Sequence, residues 1–399
     1  MERNVIEDRG LLPLWINDTW LKSFRQKLVA WYGRDGRKLP WRDTVDPYEV
    51  LVSEIMLQQT QIATVIPYYK RFLDRFPNPH SLAIAKESDV LAMWEGLGYY
   101  RRARSLQRAA ATIVNEFGGK FPENLDAIQS LPGVGRYTAG AVASFALSQR
   151  QPIVEANTQR LYARLMNLEV DVKSSNGQRT LWDFAERILP KKDSATVNHA
   201  VMDLGAMICK PKAPNCLICP VRPLCECYAR QSQSTIPVTS VKKKFVDQFE
   251  IAVALRDKRG KVFIWQRPNS GWWAGMWDIP RMFCSKQDWA DKSVFEHWFS
   301  SQFGFECRLL GSIGNFRHTV THHRIQCHLY TGEWKDFEQG SKITHLPGKL
   351  HDIEKRRRND RISTDFGGST AKWATERQLS KLPFSSSGRR MLDTILKNS

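Results

Sequence analysis

The sequence has no run of about eighteen apolar residues, so no segment reads as a membrane span. Its first residues, MERNVIEDRG, lack the apolar stretch of a secretion signal, and a cytoplasmic protein of bacterial type is expected. It has no internal repeat, which excludes a solenoid. Acidic residues are scarce beside basic ones: 41 Asp and Glu against 59 Lys and Arg, a net charge of +18. That imbalance points to a polyanionic partner, nucleic acid or an anionic membrane. Hydrophobic residues at 42% and charged residues at 25% of a 399-residue chain exclude a mainly disordered chain, a collagen and a coiled coil, and fit two or three globular domains. Cysteine is plentiful. Eight cysteines without a secretion signal argue for metal or redox chemistry before disulfides.

Residues 1–228 read as helices, 229–244 as a linker and 245–399 as a second, α+β domain. Between Pro47 and Phe76 apolar residues recur at helical spacing (Val50, Ile55, Leu57, Ile62, Val65, Ile66), and Pro67 is expected to divide the run into two helices. Ser81 is the expected N-cap of a helix from Leu82 to Trp94. Another helix is predicted over 101–117, stopped by Gly118-Gly119, and two more flank Leu131-Pro132-Gly133-Val134-Gly135. In the second domain, Phe249 to Leu255 alternates, Asp257-Lys258-Arg259-Gly260 reads as a turn, and Val262 to Gln266 follows. The three together predict a hairpin. A strand is predicted over 323–330, a helix over 293–303, and a polar, basic loop over 349–370.

Cys209, Cys216, Cys219 and Cys225 stand as C-x6-C-x2-C-x5-C, close enough in sequence to close on one metal centre, zinc or iron–sulfur. Cys227 lies two residues further on and competes for the fourth place. Cys284, Cys307 and Cys327 are scattered and read as ordinary thiols. Upstream, Gly133 and Gly135 permit a tight turn whose backbone N–H groups face outward at the start of a helix. Such a turn suits a DNA phosphate and reads no sequence.

The LPGVG turn followed by this cysteine spacing resembles the endonuclease III superfamily of helix–hairpin–helix DNA glycosylases. Ser53-Glu54-Ile55-Met56-Leu57-Gln58-Gln59-Thr60-Gln61, Leu39-Pro40-Trp41-Arg42 and Gly96-Leu97-Gly98-Tyr99-Tyr100 resemble its MutY-type adenine glycosylase branch. Trp273-Ala274-Gly275-Met276-Trp277-Asp278-Ile279-Pro280 resembles, more loosely, that branch's Nudix-like domain. The resemblance implies an all-α helix–hairpin–helix glycosylase domain with an iron–sulfur loop, then a Nudix-like α+β domain. It implies a 4Fe-4S cluster on Cys209, Cys216, Cys219 and Cys225, in preference to Cys227. It also implies a monomer acting on double-stranded DNA with adenine mispaired with 8-oxoguanine or guanine, on the nucleoid and without a membrane.

Excising a flipped adenine requires protonation of the leaving base and stabilisation of a cationic sugar, the two tasks that paired carboxylates divide in glycoside hydrolysis. Glu54, on an apolar helix where desolvation raises its pKa, is the expected general acid. Val154-Glu155-Ala156-Asn157 stands where the family reads Val-Asp-Gly-Asn, so Glu155 takes the place of the cation-stabilising aspartate beside Asn157. Its extra methylene moves the carboxylate by roughly an ångström, a displacement that can cost about a hundredfold in rate if uncompensated. Tyr137 occupies the place where bifunctional relatives carry a Schiff-base lysine. A phenol forms no imine, which predicts a monofunctional enzyme.

The resemblance further assigns Gln59 to the intercalated position and Tyr99 or Tyr100 to a wedge beside 8-oxoguanine. It places Trp41 and Arg42 at the adenine pocket and Thr321 and His322 in the loop that checks the lesion, while Arg101, Arg102 and Arg104, which follow the tyrosines, read as phosphate contacts or a solvated helix face. The family's Phe-Ser-His is here Val320-Thr321-His322, without the ring. The helix over 293–304 offers only Glu296 where a Nudix hydrolase carries a run of glutamates, so this domain is expected to bind and not to hydrolyse. Two other functions compete: a bifunctional glycosylase/lyase for oxidised pyrimidines, and a mismatch-binding protein with weak catalysis, for which the changes at Glu155 and Ala156 speak.

Overall fold

The computed structural model describes residues 12–240, 245–335 and 370–397. The predicted loop over 349–370 falls outside them except for Thr370. The described chain forms two compact units. One joins the residues through Ala85 to those from Arg101 onward as far as Ser240, and the other joins Lys86–Tyr100 to the residues from Phe245 onward.

Helices are numbered α1 Asp18–Asp35, α2 Pro47–Leu57, α3 Ile62–Arg75, α4 Pro79–Ala83, α5 Glu87–Trp94, α6 Arg101–Glu116, α7 Leu125–Ser130 and α8 Arg136–Phe145. They continue with α9 Ala156–Met166, α10 Ser175–Ile188, α11 Ser194–Met207, α12 Glu226–Arg230, α13 Lys292–Phe303, α14 Glu376–Leu379 and α15 Ser386–Lys397. Helices α1–α4 and α6–α12 build the first unit, around a core in which Phe24, Leu28, Tyr162, Phe184 and Leu204 are buried.

Two helix boundaries differ from expectation. The break after α2 falls at Gln58–Gln61, and Pro67 is carried inside α3. Arg102 supplies the reason. Its guanidinium donates to the carbonyls of Ile55 (2.8 Å) and Met56 (2.9 Å) and to Thr60 Oγ1, satisfying the acceptors that end α2. Its guanidinium thus has a structural partner within the fold. Ser81 is not an N-cap either. Asn78 caps α4 and accepts from the Ser81 N–H at 2.9 Å, with Ser81 as its reciprocal partner in a capping box, and α5 starts afresh at Glu87.

Strands are β1 Val246–Leu255, β2 Val262–Gln266, β3 Trp277–Asp278, β4 Arg281–Cys284, β5 Glu306–Val320, β6 His323–Lys335 and β7 Ala371–Ala374. They form two sheets, ordered β4-β1-β6-β5 and β3-β2-β7. The expected hairpin of β1 with β2 is therefore wrong. At their ends they are joined by the expected turn, with an isolated bridge of Arg256 with Val262 and the Asp257 N–H donating to the Lys261 carbonyl at 3.0 Å, but they do not pair as a ladder. The cause lies in β1, whose residues 250–255 are buried on both faces, small Ala252 and Ala254 included. It is a central strand, with β4 antiparallel on one side and β6 parallel on the other, and has no edge left for β2. The expected strand and helix at β6 and α13 are present.

Candidate active site

Pro47 at the first helical position and Asp46, which accepts from the Tyr48 N–H at 2.7 Å, start α2 cleanly. Every residue from Val50 to Met56 is buried, so the helix has no wet face. Glu54 is thereby only 4% exposed. Burial raises its pKa to about 7; the Tyr137 hydroxyl works against the rise, the negative charge of Glu155 adds to it, and Arg42 opposes it. The Tyr137 hydroxyl donates to Glu54 Oε2 at 2.7 Å, and burial drives the phenol's own pKa well upward. Tyr137 is held there by the turn before α8. Gly133 has φ of +83°, and a Cβ on it would stand 2.6 Å from that of Ser105, so only glycine fits. Gly135 is the side-chain-free N-cap of α8, with open space around its Cα.

Glu155 is the N-cap of α9. Its Oε2 accepts from the Asn157 N–H at 2.8 Å and from Asn157 Nδ2 at 3.1 Å, and its Oε1 accepts from the Thr158 N–H at 2.9 Å. Thr158 Oγ1 returns the bond to the Glu155 N–H at 2.8 Å, closing a capping box. Burial raises the Glu155 pKa, and the N–H groups of Asn157 and Thr158 pull it back. Ala156 opens α9 with helical geometry, so glycine is not needed there. Glu54, Tyr137, Glu155 and Asn157 are thus brought together in the first unit.

Trp41 is buried, its ring edge-on to Tyr69. Arg42 is held by Asp203, accepting at 2.8 Å from both terminal nitrogens of the guanidinium, and also donates to the Arg37 carbonyl and the Tyr32 hydroxyl. Arg37 binds the same carboxylate. Burial would raise the Asp203 pKa, but its bonds to Arg42 and Arg37 hold it below the usual carboxylate range. His199, stacked on Phe145 at 4.0 Å, is pushed down to about 3 by burial and by Arg42. Sequence reasoning missed Asp203 and His199, which sit on a helix whose pattern signals only a core.

Gln59 is exposed, with φ of +59°, at the break after α2, and Arg101 is exposed at the start of α6. In the second unit, Tyr99 is 45% exposed with φ of +47°, whereas Tyr100 is 6% exposed and donates to the Phe384 carbonyl at 3.1 Å. Thr321 and His322 form the exposed two-residue turn between β5 and β6, with φ of +55° at Thr321, a strained value for a β-branched residue. Glu296 accepts from the Leu309 N–H at 2.7 Å and so secures β5.

Cys209, Cys216, Cys219 and Cys225 all line one cavity in the first unit. Cys227 is fully buried, and its thiol donates to Asn167 Oδ1. Two arginines of α9 hold the surrounding chain. Arg164 donates to the carbonyls of Lys210 (2.7 Å), Pro211 (3.1 Å), Gln233 (2.9 Å) and Ile236 (2.9 Å), and lies 3.5 Å from Cys209 Sγ. Arg160 donates to the Cys209 carbonyl at 2.8 Å and to Asn157 Oδ1 at 3.0 Å. Neither was expected from the sequence, where the spacing of arginines along a helix carries no sign of what they hold.

A rat adenine DNA glycosylase is 32% identical over 397 aligned positions, covering 86% of this chain and 76% of the rat protein. The chain belongs to the adenine DNA glycosylase family. An adenine DNA glycosylase of Buchnera aphidicola subsp. Baizongia pistaciae is 33% identical, over 75% of this chain and 83% of its own length. Residues 52–187 match the HhH-GPD superfamily of base excision DNA repair proteins, and residues 251–394 match the NUDIX domain family. A solved thermostable thymine-DNA glycosylase is 30% identical over 53% of this chain and 98% of its own, with a TM-score of 0.49. The helical part of this glycosylase thus carries the acidic pair, and its NUDIX-family part carries the Thr321-His322 turn.

Proposed function

We propose that Glu54 and Glu155 are the acid and the counter-charge of a monofunctional adenine glycosylase acting in base excision repair on adenine opposite 8-oxoguanine or guanine. One observation carries this reading: Glu54 is buried to a pKa of about 7 and oriented by the Tyr137 hydroxyl. At neutral pH a large fraction of Glu54 is protonated and ready to donate to a ring nitrogen of a flipped adenine. As the C–N bond breaks, its electron pair leaves with the base, and the proton from Glu54 neutralises it. The sugar is left as an oxocarbenium ion. Glu155 faces that positive charge with a carboxylate fixed by three N–H groups. Those bonds leave part of its accepting capacity open, since a carboxylate offers about four lone-pair directions. Water then adds to the sugar and loses a proton to the Glu54 carboxylate, giving an abasic site and free adenine and restoring the acid. Tyr137 has no amine to form an imine with that sugar, so no strand cleavage is built in.

The four cysteines that line one cavity fit a 4Fe-4S cluster, whose irons at separate corners take one thiolate each. When bound it supplies structural cross-linking of the loop. Arg164, beside Cys209, offers the positive charge that a thiolate-bound cluster attracts.

For the lesion, exposure favours Tyr99 over Tyr100 as the wedge, with Gln59 intercalating, Thr321 and His322 probing the opposite base, and Gly133, Gly135 and Arg101 on phosphates. The test is single-turnover release of adenine from an 8-oxoguanine:adenine duplex. The parent should release it, and Glu54→Gln should be slower by about 100-fold or more. Equal rates would overturn the assignment of Glu54. Strand scission by the parent without added base would overturn the monofunctional reading.

A further inference from the structure

The turn that carries Tyr99 follows α5. Gly96, Gly98 and Tyr99 all lie in the left-handed region, with φ of +105°, +70° and +47°, so neither helix nor strand continues from α5 to α6. Within it, Trp94 Nε1 donates to the Gly98 carbonyl at 3.1 Å. The Leu97 N–H donates to the Trp94 carbonyl at 3.1 Å, and further ties come from the far end of the sequence. Glu95, the residue that closes α5, accepts on Oε1 from Arg389 Nε at 2.6 Å and on Oε2 from Arg389 Nη2 at 3.1 Å, a bidentate pair. Glu95 Oε2 also accepts from the Phe384 N–H at 3.1 Å, and the Tyr100 hydroxyl donates to the Phe384 carbonyl. Glu95 and Tyr100 thus grip one peptide segment from either side of Tyr99.

Arg389 is itself aimed. Its terminal nitrogens donate to the carbonyls of Leu379 (3.1 Å) and Leu382 (2.8 Å), and its guanidinium lies 4.7 Å from the centre of the Phe384 ring. Side-chain exposure is 24% for Arg389 and 18% for Glu95. A planar fork fixed on three sides transmits position in a way a lysine cannot.

We propose that Arg389 is a positioning residue for lesion recognition: through Glu95 and the Phe384 backbone, the start of α15 fixes the turn that presents Tyr99. A wedge held in place before DNA arrives loses less freedom on insertion, and the gain falls on the damaged duplex, where insertion occurs. The inference rests on the reading of Tyr99 as the wedge.

The experiment measures the selectivity of the full chain. This is the ratio of dissociation constants for an undamaged duplex and for one with 8-oxoguanine opposite 2′-fluoroadenosine, which resists cleavage. Tyr99→Ala tests the underlying reading and should lower the ratio. Arg389→Met should lower it by about tenfold, Arg389→Lys by less, and Arg389→Met should add nothing in the Tyr99→Ala background. A merely structural role would lower binding in both backgrounds. An Arg389→Met ratio equal to the parent's, or a loss additive with Tyr99→Ala, overturns the clamp while leaving Tyr99 as the wedge. An unchanged ratio in Tyr99→Ala overturns that reading and the clamp with it. If Arg389→Met does not fold, Glu95→Gln removes the same ion pair without changing side-chain size and is read by the same criteria.

Discussion

Glu54 lies in a helix buried from Val50 to Met56, so its carboxyl has little water to stabilise an anion, and this outweighs the hydrogen bond that favours one. Two consequences follow at the residue scale. Adenine release under single-turnover conditions should be level at acid pH and fall as pH rises through about 7, as the acid loses its proton. Stability has the same sign. The folded-state pKa is raised above the ordinary 4.5, so the contribution is complete below that value and is lost as pH rises through about 7. Glu54→Gln removes the ionising group, and at pH 8 it should melt higher than the parent while releasing almost no adenine; differential scanning calorimetry checks this. At Glu155 the extra methylene is used in full, because both oxygens reach N–H groups of α9. Glu155→Asp should keep the cap but move the charge, slowing release by about 100-fold. Glu155→Ala should also cost about 1 kcal/mol of stability, read by urea denaturation.

At the scale of elements, the helices that bear the site are fastened by arginines. Arg102 ends α2, Arg42 and Arg37 share Asp203 on α11, and Arg164 of α9 gathers four carbonyls around the cysteine cavity. Arg164→Met leaves those carbonyls without their donor. It should cost on the order of 3 kcal/mol and lower the bound iron per chain, read by denaturation and iron analysis. The sequence reveals this layer poorly. Glu54 and Tyr137 were legible through motifs that resemble the family, and the cysteines through their spacing. Arg102, Arg164 and Asp203 were not, because a buried charge is defined by partners distant in sequence: 161 residues separate Asp203 from Arg42. The β1–β2 error has the same root. Alternation of large residues described one face of β1, while its two alanines, silent in the pattern, mark it as a strand buried on both.

For the molecule as a whole, the net charge of +18 predicts a sequence-independent attraction to duplex DNA. The logarithm of the binding constant should fall linearly with the logarithm of salt concentration. Arg101→Ala should reduce that slope by about 0.9, equally for damaged and undamaged duplexes, because a phosphate contact carries no base information. Fluorescence anisotropy across a salt series measures it. The second compact unit has another consequence, one of timing. Its residues 86–100 precede most of the first unit in the chain, and 294 residues separate Glu95 from Arg389. At a synthesis rate of about 5–20 residues per second, α5 and its turn wait roughly 15–60 s for the arginine that completes them. Throughout that interval the segment carrying Tyr99 emerges from the ribosome without its clamp, and a chain truncated before α15 would keep it so permanently.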